Sequence, residues 1–179
     1  MNVYSTKRIA EEAENLGHYI ELIDHTKCAV KLGPGKPMVY YQNEDVTDAF
    51  DAIIPRIGAK VTKHGVAIVK QFEMNGVFST ARALSITRAR NKVRTLQILS
   101  RKHIPIPETL FSINPGDIEE QIELLGGPPV IIKLQEGTQG LGVILAESKK
   151  SAKSIIDTFY KMDTSILIQK YIEESNGED

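Results

Sequence analysis

Residues 133–145, KLQEGTQGLGVIL, place Gly137, Gly140 and Gly142 within six positions, between one apolar run and the next. Glycine loses more backbone freedom on folding than other residues and has no side chain to pack. Such a cluster needs a positive reason. The flanking runs, VIIKL (130–134) and VILA (143–146), have the length and β-branched composition of strands. The segment therefore reads as two strands joined by a glycine-rich hairpin tip. Two common phosphate motifs fail here. No lysine follows Gly142 as the Walker A pattern requires, and the glycine order, G-x-x-G-x-G, leads into a strand where the dinucleotide fingerprint leads into a helix.

A hairpin tip of this kind can lie over a polyphosphate and offer backbone N–H donors that side chains would otherwise hold at a distance. Protein kinases use a glycine-rich flap on the same physical logic. Lys133 adds to this reading. On a strand, Val130, Ile132 and Leu134 share one face while Ile131 and Lys133 share the other. A lysine in so apolar a strand needs an anionic partner or an exit to solvent. The residues alone leave both open, a phosphate flap or a plain hairpin with Lys133 solvated.

Working outward, the pattern alternates strands with helices. Ile9, Ala10, Ala13 and Leu16 predict a helix over 5–16 with Ser5 or Thr6 as cap. YIELI (19–23), MVYY (38–41) and FDAIIP (50–55) read as strands, the last buried and closed by Pro55, with GPGKP (33–37) a turn. Val66, Val69 and Phe72 mark a helix that ends at Gly76. This half predicts an α/β unit with a largely parallel sheet. Asn91 caps a helix bearing Val93, Leu96 and Leu99 and ended by Pro105 and Pro107. DIEEQIELLGG is a helix stopped by glycines; Ile155, Ile156 and Phe159 mark another, followed by the strand SILIQKYI (165–172). The expected division is an α/β domain over 1–90 and an α+β domain, cut short, over 91–179. The closing IEESNGED is a polar turn signal where a connection is expected.

Composition sets the class. The chain has 179 residues, 41% hydrophobic and 25% charged, which is ordinary for a globular protein. The lone Cys28 excludes an internal disulfide, and His18, His25, His64 and His103 are scattered without zinc-ligand spacing. No apolar run approaches the ~18 residues of a membrane span, so a cytoplasmic protein with no membrane association is the expectation. The net charge of −1 is unevenly spread. Between Met74 and Pro107 there is no Asp or Glu, while Arg82, Arg88, Arg90, Lys92, Arg94, Arg101 and Lys102 are all present. This is an anion-seeking stretch, a solvated helix face or a nucleic-acid contact; against the last, it has no interleaved aromatics. Lys92 falls at the first turn of its helix, where the backbone dipole favours an anion. Glu119, Glu120 and Glu123 read as solvated charge on a surface helix, not as metal ligands.

Taken together, FDAIIPRIG, QFEMNG, RARNKVRTLQILSRKHIPIP, GGPPVIIKLQEGTQGLGVILAE and ILIQKYI, in this order, resemble the RimK family of ATP-grasp ligases. The resemblance runs from about residue 4 to the last residue. It implies an N-terminal α/β domain followed by an incomplete ATP-grasp domain, with ATP gripped between two lobes. It implies nucleotide-binding roles for Lys133 on the strand before the flap, for Lys92 on the preceding helix, and for the flap residues Gly137, Thr138, Gln139, Gly140 and Gly142. Gln169, Lys170, Tyr171 and Ile172 correspond to the hinge along the adenine edge, and Asp179 to a nucleotide-binding aspartate beyond it. Lys170 stands where the family commonly has Glu.

The activity implied is ATP-dependent addition of L-glutamate to the C-terminus of a small-subunit ribosomal protein through an acyl phosphate. Mg²⁺ or Mn²⁺ would be required, with ligands beyond residue 179, so no metal ligand and no catalytic residue is assigned within the chain and no turnover is expected of it alone. Alternatives are another acceptor (an amino-group carrier protein or a small-molecule acid) or a non-catalytic ribosome-binding module. Homo-oligomerisation is left open.

Overall fold

Helix α1, Tyr4–Asn15, starts at Val3, which supplies no side-chain cap; Ser5 and Thr6 lie inside the first turn, and Thr6 is buried. The expected hydroxyl cap is therefore absent, and Arg8 braces the helix through Glu11 and Glu12 instead. A computed structural model of the chain describes residues 3–112, 116–135 and 142–173. Its internal contacts divide the chain into Met1–Thr87 and Arg88–Asp179.

In the first unit the run 19–23 is not a strand. Tyr19 and Leu22 are exposed, and the strand forms later, after a 3-10 turn at His25–Lys27. There β1, Cys28–Lys31, pairs antiparallel with β2, Met38–Tyr41, which pairs antiparallel with β3, Glu44–Asp45. Gln42 and Asn43 join β2 to β3 with φ of 50° and 72°. That two-residue geometry matches the twist of the flanking strands. β4, Ala52–Ile53, pairs with β5, Phe78–Ser79, and this short pair is parallel. The described residues thus hold an antiparallel meander and one two-residue parallel pair, not the largely parallel sheet expected. The expected buried strand over 50–55 shrinks to Ala52–Ile53, and Ala52 and Ile54 are exposed.

Helix α2, Thr62–Met74, organises this unit: Ile68 and Phe72 pack with Cys28, Val39, Val46 and Val77. Gly65 sits inside α2 because a Cβ there would lie 2.7 Å from Ile57 Cγ2. The PRIG stretch thereby seats Ile57 against bare helix backbone. Helix α3, Ala83–Arg90, was not anticipated, its sequence ALSITRAR lacking an apolar stripe.

The second unit contains α4, Lys92–Arg101, capped by the Asn91 side chain, which accepts from the Arg94 N–H at 2.9 Å. It ends at His103, whose φ is 56°, with the N–H of Ile104 donating to Leu99 O at 3.1 Å. This is a Schellman turn, so the helix stops before Pro105 is reached. β6, Thr109–Ser112, was also unanticipated. Helix α5, Ile118–Leu124, is capped by Asp117 and ends in a glycine turn. β7, Val130–Leu134, β8, Val143–Ala146, and β9, Ile166–Lys170, follow, with α6, Lys149–Lys161, between the last two.

These strands form one antiparallel sheet in the order β6-β9-β7-β8. Val130, Ile132, Ile166 and Ile168 face a core completed by Ile118, Ile122, Leu125, Ala152 and Ile156 of α5, its C-cap and α6. No helix among the described residues is long and apolar enough to cross a membrane.

Candidate nucleotide site

The period of two on β7 puts Lys133 and Ile131 on the sheet face turned away from the α5–α6 core. Register extends that face into two rows. One row is Phe111, Leu167, Lys133 and Val143; the other is Thr109, Gln169, Ile131 and Leu145. Phe111 on β6 and Val143 and Leu145 on β8 are each more than 40% exposed, while Leu167 on β9 is buried, so the face is largely apolar and open at its two edge strands. Gln169 is buried and satisfied, its Nε2 donating to Thr109 Oγ1 at 2.8 Å. Sequence reasoning placed Lys133 and Ile131 on one face but not Phe111, Leu145 or Leu167 beside them. Alternation pointed to Ile131; the others required the register.

The hairpin root is closed by Leu134 N–H donating to Gly142 O at 2.9 Å. Gly142 has φ of 81°, and a Cβ on it would come within 2.5 Å of Leu134 Cδ1. Its glycine is thus required by the crossing of the two legs of the hairpin. Gly137, Thr138, Gln139 and Gly140, and Asp179 beyond the hinge, lie outside the described residues.

Lys92 reaches this root from the first turn of α4. Its Nζ donates to Leu134 O at 3.1 Å and to Gln135 O at 3.4 Å. Burial, and then the nearby Lys133 ammonium, push the Lys92 ammonium below the ordinary lysine range. The helix dipole at this end also disfavours a cation. Three local terms therefore oppose the charge on Lys92, while two carbonyl oxygens hold it in place. An anion at the hairpin root would offset these terms by opposite-charge attraction, and the pair fits a polyphosphate.

The end of β9, where the hinge is expected, behaves differently. β9 ends at Lys170, whose N–H donates to Glu108 O at 2.9 Å. The Lys170 side chain alternates onto the face opposite Lys133, and its Nζ lies 3.5 Å from Glu108 Oε2. Any contact of Lys170 with a ligand on the Lys133 face would run through its backbone. Tyr171, half-buried, follows immediately past the end of the strand. Glu119 and Glu123 pair with Lys153 at 2.9 Å and Lys149 at 2.6 Å, as surface charge does. Among the described residues no group of three or more His, Cys, Asp and Glu could hold a metal ion.

This geometry coincides with two family matches: residues 1–86 match the RimK PreATP-grasp domain and residues 89–179 the RimK-like ATP-grasp domain. The chain belongs to the RimK family. Its relatives include a probable alpha-L-glutamate ligase of Nitrosococcus oceani, 47% identical over 177 residues, covering 99% of this chain and 58% of the relative. Another is the probable alpha-L-glutamate ligase 2 of Pseudoalteromonas atlantica, 48% identical over 178 residues, covering 99% and 59%. The chain thus spans less than two thirds of the length of these RimK-family proteins. Among solved structures, a RimK domain ATP-grasp protein from Sphaerobacter thermophilus superposes with a TM-score of 0.70 at 23% identity, covering 96% of this chain and 61% of that one. That likeness concerns the fold, a PreATP-grasp domain followed by ATP-grasp.

Proposed function

We propose that this chain supplies the nucleotide-gripping part of an ATP-dependent carboxylate–amine ligase that adds L-glutamate to the C-terminus of a small-subunit ribosomal protein. The observation that carries the nucleotide reading is the crowding of Lys92 and Lys133 at the root of a glycine-rich hairpin, beside an apolar sheet face. Glutamate as the added amine rests on the names of the relatives, and the ribosomal acceptor on the motifs shared with the family.

In this reading the apolar face carrying Ile131, Leu145 and Phe111 takes the base, with backbone of the Lys170–Tyr171 segment along its edge. Lys133 and Lys92 stand at the phosphates and balance charge on the transferring phosphoryl group. Amide groups of the hairpin tip, around Gly137 and Gly140, add donors and exclude water. The acceptor carboxylate attacks the terminal phosphorus and releases ADP. The glutamate amine then attacks the resulting acyl phosphate, phosphate leaves, and an amide forms with loss of a proton. Activation is needed because a carboxylate would otherwise have to expel oxide. A divalent ion, Mg²⁺ or Mn²⁺, would offset phosphate charge, its ligands assigned to the portion of the full-length relatives that this chain does not span.

Calorimetric titration of the chain with ATP and magnesium tests the first step. Lys133→Met is expected to weaken binding by about tenfold or more, and unchanged affinity would remove the basis of the assignment. For a full-length relative carrying these residues, mass spectrometry of small-subunit ribosomal proteins after incubation with ATP and glutamate is expected to show additions of whole glutamyl residues to one of them. Additions to a carrier protein or a small acid alone would move the acceptor assignment there.

A further inference from the structure

The acid-free stretch holds a second cationic feature that the nucleotide reading does not use. Arg88 of α3, Arg94 and Arg101 of α4, and Lys102 at its C-cap line an open cleft of about 580 Å³ together with Gln97 and Ile98. At 3.6 residues per turn, Arg94 and Arg101 lie about 200° and about 180° round the helix from Lys92. The cleft is therefore on the far side of α4 from the hairpin root. Arg94 and Arg101 are about two turns, or about 10.5 Å, apart along the axis. Among the described residues none of the four cationic side chains takes part in an ion pair. Four cations so close repel one another, and with no acid among them the cleft is complementary to an anionic partner.

Ile98 decides between two kinds of partner. It is 42% exposed and sits among the cations in the same cleft. A nucleic-acid backbone would engage the arginines but leave Ile98 without a use, and the cleft has no aromatic ring on which bases could stack. A polypeptide bearing carboxylates around an apolar residue would use every group present, since guanidinium forks receive carboxylates in bidentate fashion.

We propose that this cleft is a docking site for an acidic polypeptide segment, glutamate-rich and carrying an apolar side chain for Ile98. Naming that segment as the ligase's own acceptor tail rests on the function proposed above. Each glutamyl addition consumes one carboxylate and brings two, so the tail gains one negative charge per round and is held more strongly as it grows.

The test is fluorescence anisotropy of the 179-residue chain with a labelled peptide ending in Leu and four Glu residues, with competition by duplex RNA. Arg94→Gln combined with Arg101→Gln is expected to weaken peptide binding by about tenfold or more, and Ile98→Ser by about threefold. Lys150→Gln, a charge-neutralising control on α6, is expected to leave it unchanged. Both arginines are exposed, and circular dichroism of each variant is the check on folding; Arg88→Gln with Lys102→Gln provides a second pair. Unchanged peptide affinity in both arginine-containing pairs would overturn the proposal. So would RNA binding more tightly than peptide with Ile98→Ser without effect, which would assign the cleft to nucleic acid. Failure of the ligase reading looks different: peptide binding persists while ATP binding is absent or insensitive to Lys133→Met.

Discussion

Lys92 carries its charge against burial, the nearby Lys133 ammonium and the helix dipole, while the carbonyl oxygens of Leu134 and Gln135 favour it. Its ammonium is partly buried, faces Lys133 and sits at the start of a helix, so its proton is held less firmly than in the unfolded chain. Between the folded and unfolded pKa values the unfolded chain binds more protons, and stability rises with pH across that interval. The unfavourable contribution is therefore fully present at neutral pH. Lys92→Met is expected to leave the melting temperature unchanged or raised while nucleotide affinity falls by about tenfold or more; paired thermal melts and calorimetry read both. For the same reason ATP affinity is expected to drop with rising pH earlier than for a site built on an ordinary lysine. Lys133 was legible from the two-residue alternation of VIIKL. That Lys92 donates to Leu134 O was not, because the sequence separation of 42 between them carries no signal of the distance their backbones close.

At the scale of elements, glycine is used sterically in two places. Helix propensity favours Ala over Gly by about 1 kcal/mol in a helix interior, so Gly65→Ala would stabilise α2 if propensity ruled. A Cβ 2.7 Å from the stiff, β-branched Ile57 reverses the sign. The substitution is expected to destabilise the chain by about 1–3 kcal/mol, and adding Ile57→Ala is expected to recover part of the loss in urea melts. Gly142→Ala meets both a clash with Leu134 and a left-handed backbone. It is expected to destabilise by a similar amount, about 1–3 kcal/mol, and to weaken nucleotide binding with it. The hairpin was readable because glycines and β-branched runs agree locally. The run 19–23 does not form the expected strand because a short apolar run states a preference for burial, not which partner is available. The meander from Cys28 to Asp45 took the surface of α2 instead. His103 shows the same limit: a left-handed residue other than glycine ends α4 with no composition signal.

At the scale of the whole molecule, each unit carries its own core, one around α2 and one under the four-stranded sheet. The second is the better resolved in the sequence, since its strands are four or five residues long and its helices amphipathic. The first depends on two-residue strands that no periodicity can mark. Ile132, fully buried between the sheet and its helices, holds β7 in the position that presents Lys133. Ile132→Ala is expected to destabilise by about 2–5 kcal/mol, measurable as a shift of the denaturant midpoint of the unit that contains it.

The central claim is that two crowded ammonium groups at the hairpin root await a triphosphate, and the titration of Lys92 tests it most directly. Its side-chain NMR signal, assigned with Lys92→Arg, can be followed against pH with and without ATP and magnesium. The account predicts a titration midpoint below that of ordinary lysines in the free chain, rising when ATP binds because an opposite charge stabilises the ammonium. A midpoint that stays in place while ATP is bound would contradict it.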